Sequence, residues 1–565
     1  MFRQNERMFT STVPYSAYPF LTLSNLHKLT PEDVNYLELK QCLRLPSRPY
    51  LDEFLQQYFR YIHPFLPLVD EAFFWDVYLD SDNNDDCLHP RFPLIVLQAM
   101  LFTACSLVSP STLETLGYAS VRSARRIMYG RAKTLYNLEA EQSQLHIAQA
   151  AVLLSYWTPP IEEAASKPNT TWLRIAIESA KSVKAHRWDF KPVPKGNPIK
   201  VFEQLSLKRL WGCCIVRDCI SAIALRRPCQ LGRPDVAPDA KFSLAFDDLE
   251  HEIHESRVYT PATKRDLITT FLEFADISAK IAIANRQMLL WHDTAIAGTQ
   301  DVLGCHEEIR EATDAIGKLL LTLTELQLAR FVPVSVIPCI ALPLALQLVN
   351  SEVKDISSCP KVHVFTKAMK TYDPLYEGVE GLTDTIHVML GQKQWVESNL
   401  RTPSMHMQTH AAGRTDVMDA NPAFYIRMAL TIDLSLSNGH SPDKWDFPST
   451  LQRQLAMENA VSPVRLLTMP RETCIPSGSS SSRMDLKGHA DDNTRVDTNA
   501  EEQNALPALP SSDLQVLGRS SGMDDFASLD ITLLPSGGQD IEMGIWGIPD
   551  LLAGSPDYRE WEDNL

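Results

Sequence analysis

Four cysteines, Cys213, Cys214, Cys219 and Cys229, crowd the stretch LKRLWGCCIVRDCISAIALRRPCQL at residues 207–231. Thiols so close in sequence could hold zinc or exchange a disulfide. The stretch 203–225 lacks proline and has a helical apolar pattern. At about 100° per residue, taking Cys213 as 0°, Cys214 projects near 100° and Cys219 near 240°. Zinc needs its ligands converging at about 2.3 Å, which three such directions do not allow. Cys229 follows Pro228 and falls beyond the helix, and no C-x-x-C occurs in the chain. Small apolar filling is the expected role of these thiols.

Other chemistry-bearing patterns lack the setting they need. HEIH at 251–254 spaces its histidines by three around Glu252 and reads as a solvated charged turn. GRSSG at 518–522 has the spacing of a nucleophile elbow, with Ser520 in the nucleophile's place, but lies in a Ser- and Asp-rich run without strand or sheet. No phosphate-binding G-x-x-x-x-G-K-[ST] and no H-E-x-x-H occurs. The residues therefore point to no catalytic site, no metal site and no resident cofactor. The densest basic run, VRSARRIMYGRAK, sets Arg122, Arg125 and Arg126 on one side of a helix, with Arg131 and Lys133 following. A solvated helix face is the expectation; contact with a phosphate or an acidic partner is the alternative.

The elements that carry these residues are helices. In YLDEFLQQYFRYIHPF, Leu51, Phe54, Leu55, Tyr58, Phe59 and Ile62 recur at three- and four-residue steps until Pro64. LIVLQAMLFTACSLV, LHIAQAAVLLSYW, TWLRIAIESAKSVKAH, RDLITTFLEFADISAKIAIANRQMLLWH and EEIREATDAIGKLLLTLTELQLARF follow the same period. Alternating β-branched runs are scarce and no fixed repeat is present, so an all-α fold is expected. The uncharged stretch 331–351 has a membrane-spanning length, but Pro333, Pro338 and Pro343 interrupt it, which favours a buried, proline-started core helix.

At 565 residues and a net charge of −17, the chain exceeds one core and offers no global basic field to nucleic acid or an anionic membrane. Eleven scattered cysteines and a charged start without an apolar run point to a reducing compartment. Beyond Leu455 the composition turns Ser-, Asp- and Asn-rich, which cannot offset the entropy of ordering. Four regions are expected: an extension over 1–20, an all-α regulatory domain over 21–455, a disordered linker over 456–522, and a tail over 523–565. The tail holds ten acidic residues and one arginine, a net −9. Phe526, Leu529, Leu533, Leu534, Trp546, Leu551, Leu552 and Trp561 stand among those acids. Acidic residues interleaved with bulky apolar ones are the composition of an activation segment, whose anchors would enter a partner's groove. The other roles open to it are packing back on its own core or only keeping the protein soluble.

The cysteine-bearing helix resembles the middle homology region of fungal zinc-cluster transcription factors, where a motif like R-x-W-W…D-R…S…G-R-P closes a buried helix. Arg209, Trp211, Asp218, Ser221, Arg227 and Pro228 fall in its places, whereas Gly212 replaces the second aromatic, Cys219 an arginine and Arg226 the glycine. HPFLPLVDEAFF, WLRIAIESAKSVKAH and IDLSLSNGHSPDKWDFPSTL look like the subgroup of cutinase and amidase regulators. The resemblance spans about Leu21 to Leu455.

The resemblance implies an all-α regulatory domain, nuclear residence and control of transcription, with a metabolic pathway or gene cluster as target. It implies coactivator machinery as partner, a homo- or heterodimer, and room for a small-molecule effector, with no membrane partner. The family reads DNA through an N-terminal cluster of six cysteines sharing two zincs, yet the first cysteine here is Cys42. Promoter contact is therefore expected through a partner or a module encoded elsewhere. A helical scaffold or co-regulator is the alternative function. On the helix itself, Arg209, Arg217, Asp218, Arg226 and Arg227 need partners or water. Two roles stay open for them: an ion-pair hub centred on Asp218, or the lining of an effector pocket.

Overall fold

The structure, a computed structural model, describes residues 11–80, 91–160, 166–188, 198–231, 242–294, 306–350, 360–400, 422–443 and 445–447. The chain divides into two units, Met1–Ser462 and Pro463–Leu565, and the described residues all lie in the first. The linker and tail regions, with all eight tail anchors and GRSSG, lie outside them.

Apolar periodicity decides the architecture. The first helices are α1 (Pro31–Leu39), α2 (Tyr50–Gln57), α3 (Glu71–Asp80), α4 (Leu94–Ala104), α5 (Pro110–Thr115), α6 (Val121–Asn137) and α7 (Gln144–Leu154). They continue as α8 (Pro168–Ser182), α9 (Pro198–Ala224), α10 (Pro261–Thr294) and α11 (His306–Glu325). The last are α12 (Ile337–Asn350), α13 (Pro360–Tyr372), α14 (Val379–Leu400) and α15 (Pro422–Asn438). Strands among the described residues are short: β1 (Thr12–Pro14) pairs antiparallel with β3 (Arg44–Pro46), and β2 (Leu21–Thr22) pairs parallel with β4 (Phe92–Pro93). The all-α expectation holds for these residues.

Helix α4 is apolar on every side, and all eleven of its residues are buried, so it sits at the centre of the first core. Burying a side chain such as Phe102 there is worth about 1.5–3 kcal/mol. Around it pack α2, α6 and α7, with α8 on α7 and α9 against both. Starts are fixed locally: Thr30 and Asp33 form a reciprocal capping box on α1, while Ser120 and Ser143 cap α6 and α7. A second core joins α11, α12, α13, α14 and α15 through Leu320, Ile340, Phe365, Tyr372 and Ile432. A third, smaller one joins α9 to α10 through Val216, Leu249, Ile268 and Phe271.

Several expectations need correction. Part of the 1–20 extension is folded in: β1 is paired, and Tyr18 and Phe20 are buried in the first core. The arginine face of α6 is only partly solvated, with Arg126 exposed. Arg125 and Arg131 are each 3% exposed. The Arg125 guanidinium lies over the rings of Phe102 and Tyr376, and burial lowers its pKa. Arg122 pairs with Asp373, Glu377 and Glu380, and Arg126 with Glu377. These acids stand some 250 residues away in sequence, so the stripe joins two helical layers. Within the uncharged stretch 331–351, residues 337–350 form α12, with Pro338 in its first turn and Pro343 buried inside it. Among the described residues, no helix is long and apolar enough to cross a membrane.

Gly212 shows why one motif position departs from the pattern. A Cβ there would meet Ser243 Oγ at 2.7 Å and side-chain carbons of Phe242 and Leu244 at 3.3 Å. Segment 242–244 crosses α9 so closely that a second aromatic has no room.

Candidate functional site

Helix α9 and the turn that closes it carry the motif residues, most of which fall in two sites. The first is a buried charge network beneath Arg209. Its guanidinium approaches Glu252 at 2.8 Å and Asp70 at 3.4 Å, and donates to Pro67 O at 3.3 Å. Lys264 of α10 lies 2.5 Å from Glu71 and 2.9 Å from Glu252. Asp70 and Glu71 come from the start of α3, and the Glu71 amide donates to Glu252 at 2.9 Å. Despite its desolvation, Glu252 is held well below the usual carboxylate range by Arg209, by the His63 ring and by Lys264. His63 donates through Nε2 to Val69 O, leaving Nδ1 facing Lys264 at 3.4 Å. Desolvation and Lys264 push its pKa down to about 4.

The turn at HEIH is therefore only partly solvated: Glu252 and Ile253 are buried, Glu252 at the centre of this network, while His251 and His254 are exposed, His251 bonded to Asp70 at 2.8 Å. The sequence offered one signal for it, a charged Arg209 inside an apolar helix face, but its partners lie 139 residues or more away on one side of it. Two sets of side chains here have metal-ligating types within 4.8 Å, His63–Glu71–Glu252 and Asp70–His251–Glu252. The Lys264 ammonium and the Arg209 guanidinium already sit against those carboxylates, so the arrangement is a charge-compensated joint between α3, α9 and α10.

The cysteines stay apart from it. Cys213, Cys214 and Cys219 are buried on α9, and desolvation raises the thiol pKa values of the first two. The Cys219 thiol bonds to that of Cys229, which with burial keeps it protonated. Among the described residues none of the metal-competent sets contains a cysteine, so these thiols do not fit the two-zinc cluster that the resemblance implies. Trp211 is buried against His186, with Lys181 over its ring.

The second site lies at the C-terminal end of α9. Asp218 is not an ion-pair hub. Its carboxylate accepts the amides of Gln230 at 3.1 Å and Leu231 at 2.8 Å, because the chain after α9 folds back along the helix and its N–H groups need an acceptor. Arg217 turns instead to Ser155, donating to its Oγ and its carbonyl at 2.8 Å each, with the guanidinium 3.8 Å from the Tyr156 ring centre. Arg226 has a left-handed φ of 49°, which is why the motif places glycine there. Arg227 N donates to Ala222 O at 3.0 Å and Arg226 N to Ile223 O at 3.5 Å, a Schellman closure. Arg226 also pairs with Asp433 of α15 at 2.8 Å. Arg227 donates to Thr170 of α8 and to Ser437 O at the end of α15.

Arg217 and Arg227 border a cavity of about 160 Å³, walled by the ends of α7, α9 and α15 and the starts of α8, α12 and α14. Helix ends of both polarities meet there, so their dipoles oppose and side chains set the charge. Arg217 and Arg227 line it, as do Lys167 and Glu377. Arg209, Trp211, Asp218 and Arg226 do not. Sequence reasoning missed Lys167, whose left-handed φ of 47° at the start of α8 only the fold reveals.

Residues 55–287, from α2 into α10, match the family described as the fungal specific transcription factor domain. Over these residues the chain is similar to that family. The relatives it resembles carry the names of transcription factors and regulatory proteins. The chain is 30% identical to cutinase transcription factor 1 beta of Fusarium vanettenii, over 37% of this chain and 22% of that protein. It is 26% identical to the acetamidase regulatory protein of Aspergillus fumigatus over 35% of this chain and 24% of that protein. Transcription factor cpaR of Aspergillus oryzae is 26% identical over 44% of this chain and 41% of its own length. The chain spans about a quarter of the length of the cutinase and acetamidase regulators it matches. No solved structure matches it. The buried charge network lies inside the matched domain, whereas the cavity takes half its wall from α12, α14 and α15 beyond it.

Proposed function

We propose that the chain regulates transcription of metabolic genes in the nucleus, with the helical unit setting when and the acidic tail recruiting coactivator machinery. The observation that carries this reading is the domain match over 55–287, joined to an α9 that ends in the family's closing motif. The relatives named for cutinase and acetamidase control support a metabolic target. A net charge of −17 supports promoter contact through a partner, a dimer mate or a module encoded elsewhere. The tail's net −9 and its anchors Phe526, Leu529, Leu533, Leu534, Trp546, Leu551, Leu552 and Trp561 support recruitment. The test is to fuse residues 523–565 to a foreign DNA-binding module beside a reporter gene. Activation that falls when Trp546 and Trp561 become alanine is the expected result. Silence would overturn recruitment and favour a helical scaffold without promoter activity.

A further inference from the structure

The cavity beside Arg217 has a composition that specifies its occupant. Three cations line it, Lys167, Arg217 and Arg227, against one acid, Glu377. That acid is already engaged by Arg122 and Arg126. Burial lowers the pKa of Arg227 to about 10, and burial together with Arg227 lowers that of Lys167. Two like charges share a partly desolvated space, an arrangement that an anion relieves. Unmet hydrogen bonding has the same sense. Trp157 lines the cavity and is 2% exposed, yet its indole Nε1 has no hydrogen-bond partner. An indole N–H only donates, so what the site lacks is an acceptor. Thr158 Oγ1, also at the cavity, is buried without a partner as well.

Much of the remaining lining is apolar: Val334, Ile337, Pro338, Val379, Leu382 and Leu436. A fully hydrated ion such as phosphate gains nothing from such a wall, whereas an apolar body does. A dry cavity of about 150 Å³ accepts a benzene ring, so this volume suits one ring or a chain of about eight carbons.

We propose that this cavity binds an organic monocarboxylate with a compact apolar body, its head at Lys167, Arg217 and Arg227. The ligand bridges the matched domain, which supplies Trp157, Lys167 and Arg217, to the helices beyond it, which supply Ile337, Val379 and Leu436. Only what the ligand controls rests on the transcription-regulator reading; the binding does not.

The test titrates sodium benzoate and sodium octanoate calorimetrically into the full 565-residue chain, with benzamide and 1-octanol as uncharged counterparts. At least one carboxylate is expected to saturate one site and raise the melting temperature, at least about tenfold more tightly than its counterpart. Lys167→Gln, at a half-exposed position that keeps the fold, is expected to weaken that carboxylate about tenfold and leave the uncharged compound unchanged. The proposal is overturned if neither carboxylate binds at millimolar concentration, if the uncharged counterparts bind as tightly, or if Lys167→Gln binds unchanged. Inorganic phosphate binding as tightly as the carboxylates would overturn the apolar half. The reporter assay on residues 523–565 uses no part of the cavity, so either proposal can fail alone.

Discussion

Arg209 Nη2 sits 2.8 Å from Glu252 Oε1, with both side chains 1% exposed. A pair this dry draws little net stability from its own attraction, since removing two charges from water costs about as much as the attraction returns. Removing one partner is another matter. Glu252→Ala leaves Arg209 only Asp70 and Lys264 only Glu71 as counter-charges, and Arg209→Ala leaves Glu252 only Lys264; each is expected to cost up to about 3–5 kcal/mol. The double variant should cost less than the sum of the singles. Denaturant melts of the four proteins check this, and strict additivity would remove the coupling.

His63 gives the network a pH dependence of defined sign. An unfolded histidine titrates near 6.5, whereas His63 in the fold titrates at about 4. Between those values the unfolded chain binds the extra proton. Stability is therefore complete above pH about 6.5 and falls as pH drops toward 4, by up to about 3 kcal/mol. His251 works in the opposite direction, since Asp70 raises its pKa, but its exposure weakens the effect. His63→Gln should flatten the loss of melting temperature between pH about 7 and 4.5. An identical slope in the variant would assign the acid sensitivity elsewhere.

Asp218 holds the return of the chain after α9. Asp218→Ala leaves the amides of Gln230 and Leu231 without their acceptor and should cost about 2 kcal/mol. Asp218→Asn keeps one acceptor oxygen and should cost less. Calorimetric melting of the two variants reads the difference, and an unmoved transition in the alanine variant would contradict the assignment.

Arg226 sets backbone strain against a side-chain contact. Its left-handed φ costs a non-glycine residue about 1 kcal/mol. The pair with Asp433 offsets a similar amount. Arg226→Gly should therefore stay within about 1 kcal/mol of the parent, while Arg226→Ala, which keeps the strain and loses the pair, should be about 1 kcal/mol worse than glycine. Equal melting of the glycine and alanine variants would rule out the strain.

What the sequence disclosed follows from distance along the chain. Helices α2, α4, α7 and α8 are local patterns, and the three directions of the α9 thiols follow from helical geometry alone. Glu252 and Arg122 were misjudged because their partners are remote. Glu71 stands 181 residues from Glu252, and Glu380 stands 258 residues from Arg122. A charge read without its partner looks solvated. Arg226 was legible as a departure from a glycine, but its φ was not. A pocket behind the arginines was a legible alternative, but its other walls were out of reach, because six helix ends from five stretches of chain form it.

The seam that α6 makes with later helices has a practical corollary for anyone expressing this protein. Arg122, Arg125, Arg226 and Arg227 all reach residues past position 372. A plasmid trimmed to the borders of sequence homology at 55 and 287 would deprive four arginines of those neighbours and remove the second core altogether. Homology ends where recombinant solubility is expected to begin failing, so a workable fragment has to run through α15.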